Sequence, residues 1–398
     1  MSHFRSIKYI LVMMITAWGL LICRSVTAYA AESEIAPNPD ITSNYDIASN
    51  PLLEELETDE INAVIAEIFE EDELDFGALL LSAIKGESVL SFDLIIEKAA
   101  ETLTSEIVKN KRAIVAIILI AVFAAILSNI SAALDSHQIA QVSFFVMTLL
   151  LMVLLMKSMM ITVEVAGKTV KNLVLFMEVL VPAYLLCIAF TAGATSASAF
   201  YGGAMICIVL VEGMLLTVVL PMIQFYMVLI PINHLAGDNL FLQLLRLLKT
   251  IIQYILKTAV ALVIGINAIQ GMVAPVAHSV KTSLLSRAVE VIPGLSGVTD
   301  VVMDTVLGSA VIIKNAVGLT AIAMIIMIAL VPVVKLSIMM FMYQFAAALT
   351  GPLSDKGLSS CIAGMGDGAK LLLRTLVTSI FLFLVTIAMM AMATNRGY

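Results

Sequence analysis

The side chains able to do chemistry are few, and most lie inside apolar runs. Glu212 sits in Ile208-Val209-Leu210-Val211-Glu212-Gly213-Met214-Leu215, while Lys157, Glu178, Lys257 and Lys335 fall within or near the ends of similar stretches. A charge at mid-membrane costs about 2.5–3.5 kcal/mol even on a lenient insertion scale. Each of these groups therefore needs a partner, a neighbouring subunit or water. Lys157 and Lys335 have stems long enough to snorkel to the surface. Glu212 is the deepest. It is either protonated and hydrogen-bonded, or it faces a polar passage. Asp300 and Asp304 are four apart, so a helix puts both carboxylates on one face, with Lys314 and Asn315 further along. Such a pair lines a polar passage or binds a cation, or else it is the wet face of an interfacial helix. Glu178, Glu212, Asp300 and Asp304 are thus the candidate lumen or structural positions.

Other chemistry is missing. No Gly-rich loop followed by Lys-Ser or Lys-Thr is present, so ATP hydrolysis is not expected of this chain. Gly364-Met365-Gly366-Asp367-Gly368 reads as a flexible loop rather than a phosphate cradle, because no strand precedes it. There is no His-Glu-x-x-His and no Gly-x-Ser-x-Gly. His3, His137, His234 and His278 stand alone, without metal-ligand spacing. Cys23, Cys187, Cys207 and Cys361 show no pair spacing and indicate neither a disulfide framework nor a metal site. The expectation is a protein with no catalytic residue and no cofactor.

The elements that must position the charges are membrane helices. The 398 residues are 61% hydrophobic and 13% charged, with mean hydropathy +1.05. A soluble domain is about 45–50% apolar and about 25% charged. That gap excludes a soluble globular enzyme, a disordered chain and a nucleic-acid-binding module. About 20 apolar residues cross the hydrocarbon layer as a helix. Runs of that kind cover residues 113–134, 139–163, 172–191, 199–220, 221–235, 251–273, 316–334, 336–349 and 371–393. Two of them, 221–235 and 336–349, are short enough to be half-spans or bent continuations. Residues 284–315 are intermediate, being apolar but carrying Arg287, Glu290, Asp300, Asp304 and Lys314. The fold class is all-α, a polytopic helical membrane protein.

Ahead of the spans lie two further segments. Residues 1–30 have the parts of a signal peptide: Arg5 and Lys8, the apolar run from Tyr9 to Ile22, and the small-x-small site Ala28-Tyr29-Ala30. Residues 31–112 form an acidic segment, expected outside the cytoplasm. Between 31 and 108 there are 20 Asp and Glu against Lys85 and Lys98. Within it, Leu52-Leu53, Leu56, Ile61, Val64-Ile65 and Ile68-Phe69 recur at helical spacing, with acids on the other face. A second such stretch runs from Ser91 to Ile107. These short amphipathic helices are too few for an independent core. Their faces are either solvated or a docking surface, for another protein or for the rest of this chain. Lys109, Lys111 and Arg112 precede the first span, where the positive-inside rule prefers cytoplasm. This hints that insertion needs help, as from a membrane insertase.

The membrane domain, 113–398, holds signs of a direct internal repeat over 170–275 and 282–398. Pro182 and Pro293 are 111 apart, as are Pro221 and Pro332. Helix breaks at matching places in two halves mark the usual binding region of transporter folds. The candidate breaks are Pro182, leading to Gly193-Ala194-Thr195-Ser196, and Pro293 with Gly294 and Gly297. An equally open reading is a kink without a ligand.

The stretch from Arg287 through Val291-Ile292-Pro293-Gly294-Leu295-Ser296-Gly297, then Asp300, Asp304-Thr305-Val306-Leu307-Gly308-Ser309-Ala310 and Lys314-Asn315-Ala316-Val317-Gly318, resembles the stage III sporulation protein AE family. Leu180-Val181-Pro182-Ala183-Tyr184-Leu185-Leu186 and Pro352-Leu353-Ser354-Asp355-Lys356 are similar to it as well. The resemblance implies a multi-pass protein of the mother-cell membrane around the forespore. It implies membership of an eight-protein complex, with a separate ATPase and ring-forming subunits, that meets a forespore-side partner in a channel between the two cells. It carries over no catalytic residues. A stand-alone permease-like transporter and a structural anchor are the alternatives.

Overall fold

The computed structural model describes residues 58–69, 74–87, 92–133, 137–235, 240–289, 296–352 and 356–393. Residues 1–57, including the expected signal peptide, lie outside them, as do Pro293 and Gly294. The described residues belong to one compact unit, Leu52–Tyr398. Helices account for nearly all of them: α1 Thr58–Ile68, α2 Phe76–Ile84, α3 Phe92–Ala133, α4 His137–Ala192, α5 Ala194–Leu210, a π-helical segment Val211–Val219, α6 Leu220–Leu235, α7 Leu242–Val289, α8 Ser296–Thr350 and α9 Lys356–Ala393. Lipid offers backbone groups no hydrogen-bond partner, so apolar spans satisfy them within the helix.

Several apolar runs that look separate in the sequence are continuous. Residues 139–163 and 172–191 both belong to α4, and 316–334 and 336–349 both belong to α8. Residues 199–235 follow one another through the π-helical segment. Among the described residues, five helical stretches are long and apolar enough to cross a membrane: Thr148–Thr191, Phe200–Leu235, Leu242–Ile266, Gly308–Thr350 and Gly357–Ala391.

The expected break at Pro182 does not end its helix. Proline removes one donor and kinks a helix, yet α4 continues to Ala192. Pro231 and Pro332 are likewise inside α6 and α8. The interruption falls at Gly193, at φ 84° and ψ 155°, a region essentially closed to residues with a Cβ. Its N–H still donates to the Ala189 carbonyl at 3.0 Å, and its own carbonyl accepts from Ala197 N–H at 3.1 Å. The chain thus changes direction without orphaning backbone groups. The proposed loop at 364–368 is also not a loop. It is helical, inside α9.

α8 is the centre. It packs against α9, α4, α3 and α2, and α9 reaches on to α4, α6 and α7. The α8–α9 turn is closed by Gly351 N–H and Ser359 Oγ, which both donate to the Ala347 carbonyl, at 2.9 and 3.0 Å. Polar side chains inside this core are mostly self-satisfied. Thr320, Thr350 and Thr375 each donate to the carbonyl four residues back, as hydroxyls on helices can.

The acidic segment docks on its own chain. Ile61 and Ile65 of α1, and Phe76 and Leu80 of α2, are buried, with α1 against α4 and α2 against α8. A polar clasp joins the two. Asn62 Nδ2 donates to Asp75 Oδ1 at 2.8 Å, Phe76 N–H donates to Asn62 Oδ1 at 2.7 Å, and Asp75 Oδ1 caps α2 by accepting from Gly77 N–H at 2.9 Å. α3 then runs unbroken across the boundary at 112, from acidic residues into the first apolar run.

Two substitutions test this account. Asp75→Ala removes the cap and half of the clasp, a loss of about 1 kcal/mol, and should speed limited proteolysis at Lys85 in the detergent-solubilised protein. Gly193→Ala should cost about 1–3 kcal/mol and lower Tm, whereas Gly202→Ala, where nothing lies within 4 Å of an added Cβ, should leave Tm unchanged or raise it.

Candidate functional site

The charged residues singled out from the sequence do not converge inside the fold. Glu178 on α4 is exposed, and so is Glu212 in the π-helical segment. Lys157 and Lys257 are exposed too. Pro182 lies on the outer face of α4. Gly297, Asp300 and Asp304 fall in the first turns of α8, but their side chains are outside the described residues, so the pairing of the two carboxylates is not on view. Lys335 does not depend on snorkelling: its Nζ lies 3.6 Å from Glu106 Oε1 of α3.

Among the described residues, the one buried charge is Lys314 of α8, at 0% exposure. It neighbours Cys187 of α4. One turn further along α8, an added Cβ at Gly318 would stand 3.0 Å from Tyr184 Oη. Tyr184 Oη is itself buried without a hydrogen-bond partner. The pairs 187–314 and 184–318 run in opposite senses, so α4 and α8 are antiparallel and in close contact there.

A second junction was not anticipated. Gly364, Gly366 and Gly368 of α9 are where neighbouring helices press in. An added Cβ would meet Ile230 Cγ2 at 2.9 Å from position 364, Gln344 Cγ at 3.1 Å from 366, and would collide with Met227 Cγ from 368. The first and third contacts are with α6, the second with α8. Beside them Lys249 Nζ of α7 donates to Asp367 Oδ2 at 2.6 Å, and Tyr226 is close to the same carboxylate. Four helices are therefore held at one level by absent side chains and one ion pair. The signal was present as Gly364-x-x-x-Gly368, the small-residue spacing that lets membrane helices approach closely. Reading it as loop flexibility missed it.

The described residues hold no group of three or more His, Cys, Asp or Glu placed to bind a metal.

The model of the family described as stage III sporulation protein AE matches residues 74–394. The chain belongs to that family. The match begins one residue before the α2 cap and runs to the end of α9, so it takes in α8, the Lys314 region and the glycine junction. Stage III sporulation protein AE of Bacillus subtilis (strain 168) is 24% identical over 394 residues, covering 95% of this chain and 97% of that protein. No solved structure matches.

In this member of the stage III sporulation protein AE family, the glycine junction makes a direct test. Gly368→Val should overpack the α6–α9 contact and cost about 1–3 kcal/mol, read as a lower Tm in detergent. Gly213→Ala, facing open space, should not. Equal melting of the two variants would refute the close approach.

Proposed function

We propose that this chain is an integral membrane subunit of a sporulation-specific channel, a secretion-like complex linking mother cell and forespore and required for spore development. In this reading it lies in the mother-cell membrane around the forespore, with its acidic segment extracytoplasmic. It performs no catalysis of its own. Its partners are the other membrane proteins of the complex, a separate ATPase, ring-forming subunits and a forespore-side partner. Family membership supports the sporulation role, and the five long apolar helices support the membrane placement.

One observation favours a subunit over a stand-alone permease-like transporter. Glu212 and Lys257 both face outward from apolar runs, while the buried side of α8 is lined largely by apolar side chains. Charges exposed on apolar spans are costly in lipid and inexpensive against a partner. The polar surface is thus offered to neighbours. Among the described residues, Lys314 is the buried charge that the transporter reading can use.

The test is Glu212→Leu in sporulating cells. The expected outcome is normal accumulation of the protein, loss of co-purifying partner membrane proteins, and reduced late forespore gene expression. Normal spore yield, or solute flux through liposomes that contain this protein alone, would count against the proposal.

A further inference from the structure

α4 is 56 residues long, about 84 Å at 1.5 Å per residue. The hydrocarbon layer is about 30 Å thick. The membrane surface must therefore cut α4 somewhere along its length, and two other helices indicate where. The exposed face of α3 changes in a definite order. Glu97 and Glu101 come first, then Lys109, Lys111 and Arg112, then Val115, Leu119, Phe123 and Ile126. The basic residues and their apolar neighbours line one shallow groove, shared by Val108, Lys109, Lys111, Arg112, Val115, Ala116 and Leu119.

α3 and α4 pack together as a hairpin. Counted from Ala133 backward and from His137 forward, Arg112 and Lys157 both stand roughly 20 residues, or about 30 Å, from its tip. The exposed face of α4 switches at that same level. Val142, Phe145, Val146, Leu150 and Val153 precede Lys157. Beyond it, past the exposed Met160 and Ile161, come Glu164, Lys168, Lys171 and Glu178, all exposed and, with Lys157, within one narrow face of the helix. The arms on the tip side thus match a bilayer in length, and the face from Glu164 to Glu178 carries a stripe of charges before apolar Leu186 and Phe190 are exposed again. α8 is cut at the same level, because Glu106, one turn before Lys109, contacts both Lys109 and Lys335 at 3.6 Å.

We propose that Lys109, Lys111, Arg112 and Lys157 form a girdle seated on the anionic headgroups of one bilayer leaflet. The α3–α4 hairpin beyond it is embedded in lipid, and the α4 stripe from Glu164 to Glu178 stands in water. Clustered Lys and Arg beside an apolar span are attracted to anionic lipid with about 1 kcal/mol each. The two spans of more than 40 residues, Thr148–Thr191 and Gly308–Thr350, are then each part in lipid and part out of it. This inference concerns the chain's seat in the membrane and stands whether or not the channel reading does.

The full chain is reconstituted in nanodiscs with spin-labelled phosphatidylglycerol or phosphatidylcholine. The immobilised fraction should favour phosphatidylglycerol by at least about fivefold, the factor that 1 kcal/mol supplies. In the variant Lys109→Gln, Lys111→Gln, Arg112→Gln, Lys157→Gln that preference should vanish; its persistence overturns the girdle. A second measurement is independent of that variant's folding. With Cys23, Cys187, Cys207 and Cys361 replaced by Ala, Glu164→Cys and Lys171→Cys should react with a membrane-impermeant maleimide in intact nanodiscs. Phe123→Cys and Val146→Cys should react only after detergent is added. Equal protection of all four positions, or equal reactivity, sinks the proposal.

Discussion

Helices in lipid gain little from burying apolar side chains against one another, because lipid tails are as apolar as leucine. What holds this fold is close backbone approach around α8. Gly318 lets α4 come near through Tyr184, and the glycines of α9 let α6 and α8 come near at 227, 230 and 344. The rest depends on that contact. Where backbones approach within a methyl group's reach, dispersion contacts multiply and water and lipid are excluded. One side of α8 can then be buried while its hydroxyls bond within their own helix.

That packing explains why the acidic segment has no core of its own yet is ordered at α1 and α2. Each short helix offers two large buried apolar residues, and a helix of 9 or 11 residues is marginal in isolation. Contact with α4 and α8 supplies what is lacking, and the Asn62–Asp75 clasp fixes the angle between the two. The continuity of α3 then ties this docked layer to the first apolar run by a stiff rod rather than a tether. A displacement of the acidic layer would be transmitted to α3, and through the Glu106–Lys335 contact to the central helix.

Much of the architecture was legible. The all-helical membrane class follows from apolar runs that only helices can satisfy in lipid, and the docking face of α1 follows from the spacing of Ile61 and Ile65, whereas the short helix α2 with Phe76 and Leu80 was not singled out. What was not legible has physical causes. Run boundaries were set by charged residues such as Lys168 and Lys171, but a charge on the outer face does not stop a helix, so α4 passes through them. Pro182 looked like a break, yet one lost donor kinks a helix without ending it, and the turn falls at Gly193, where the backbone conformation excludes a Cβ. Gly364 to Gly368 looked flexible because glycine is flexible in isolation. The same lack of a side chain serves packing once a neighbouring helix presses in. Asp300 and Asp304 share a helix as their spacing implied, but nothing about their side chains follows from that.

The outward placement of the charges bears on how a chain like this can act. A transporter that works alone concentrates its polar groups on an inner path, because lipid outside penalises them. Among the described residues Lys314 is buried, while Glu212 lies outside in the π-helical segment with Gly213 beside it facing open space. π-helical turns cost regular hydrogen-bond geometry and are found mostly where a function requires the distortion. An acid held outward on a distorted turn is poorly suited to lipid and well suited to a neighbouring helix that brings a cation or a donor.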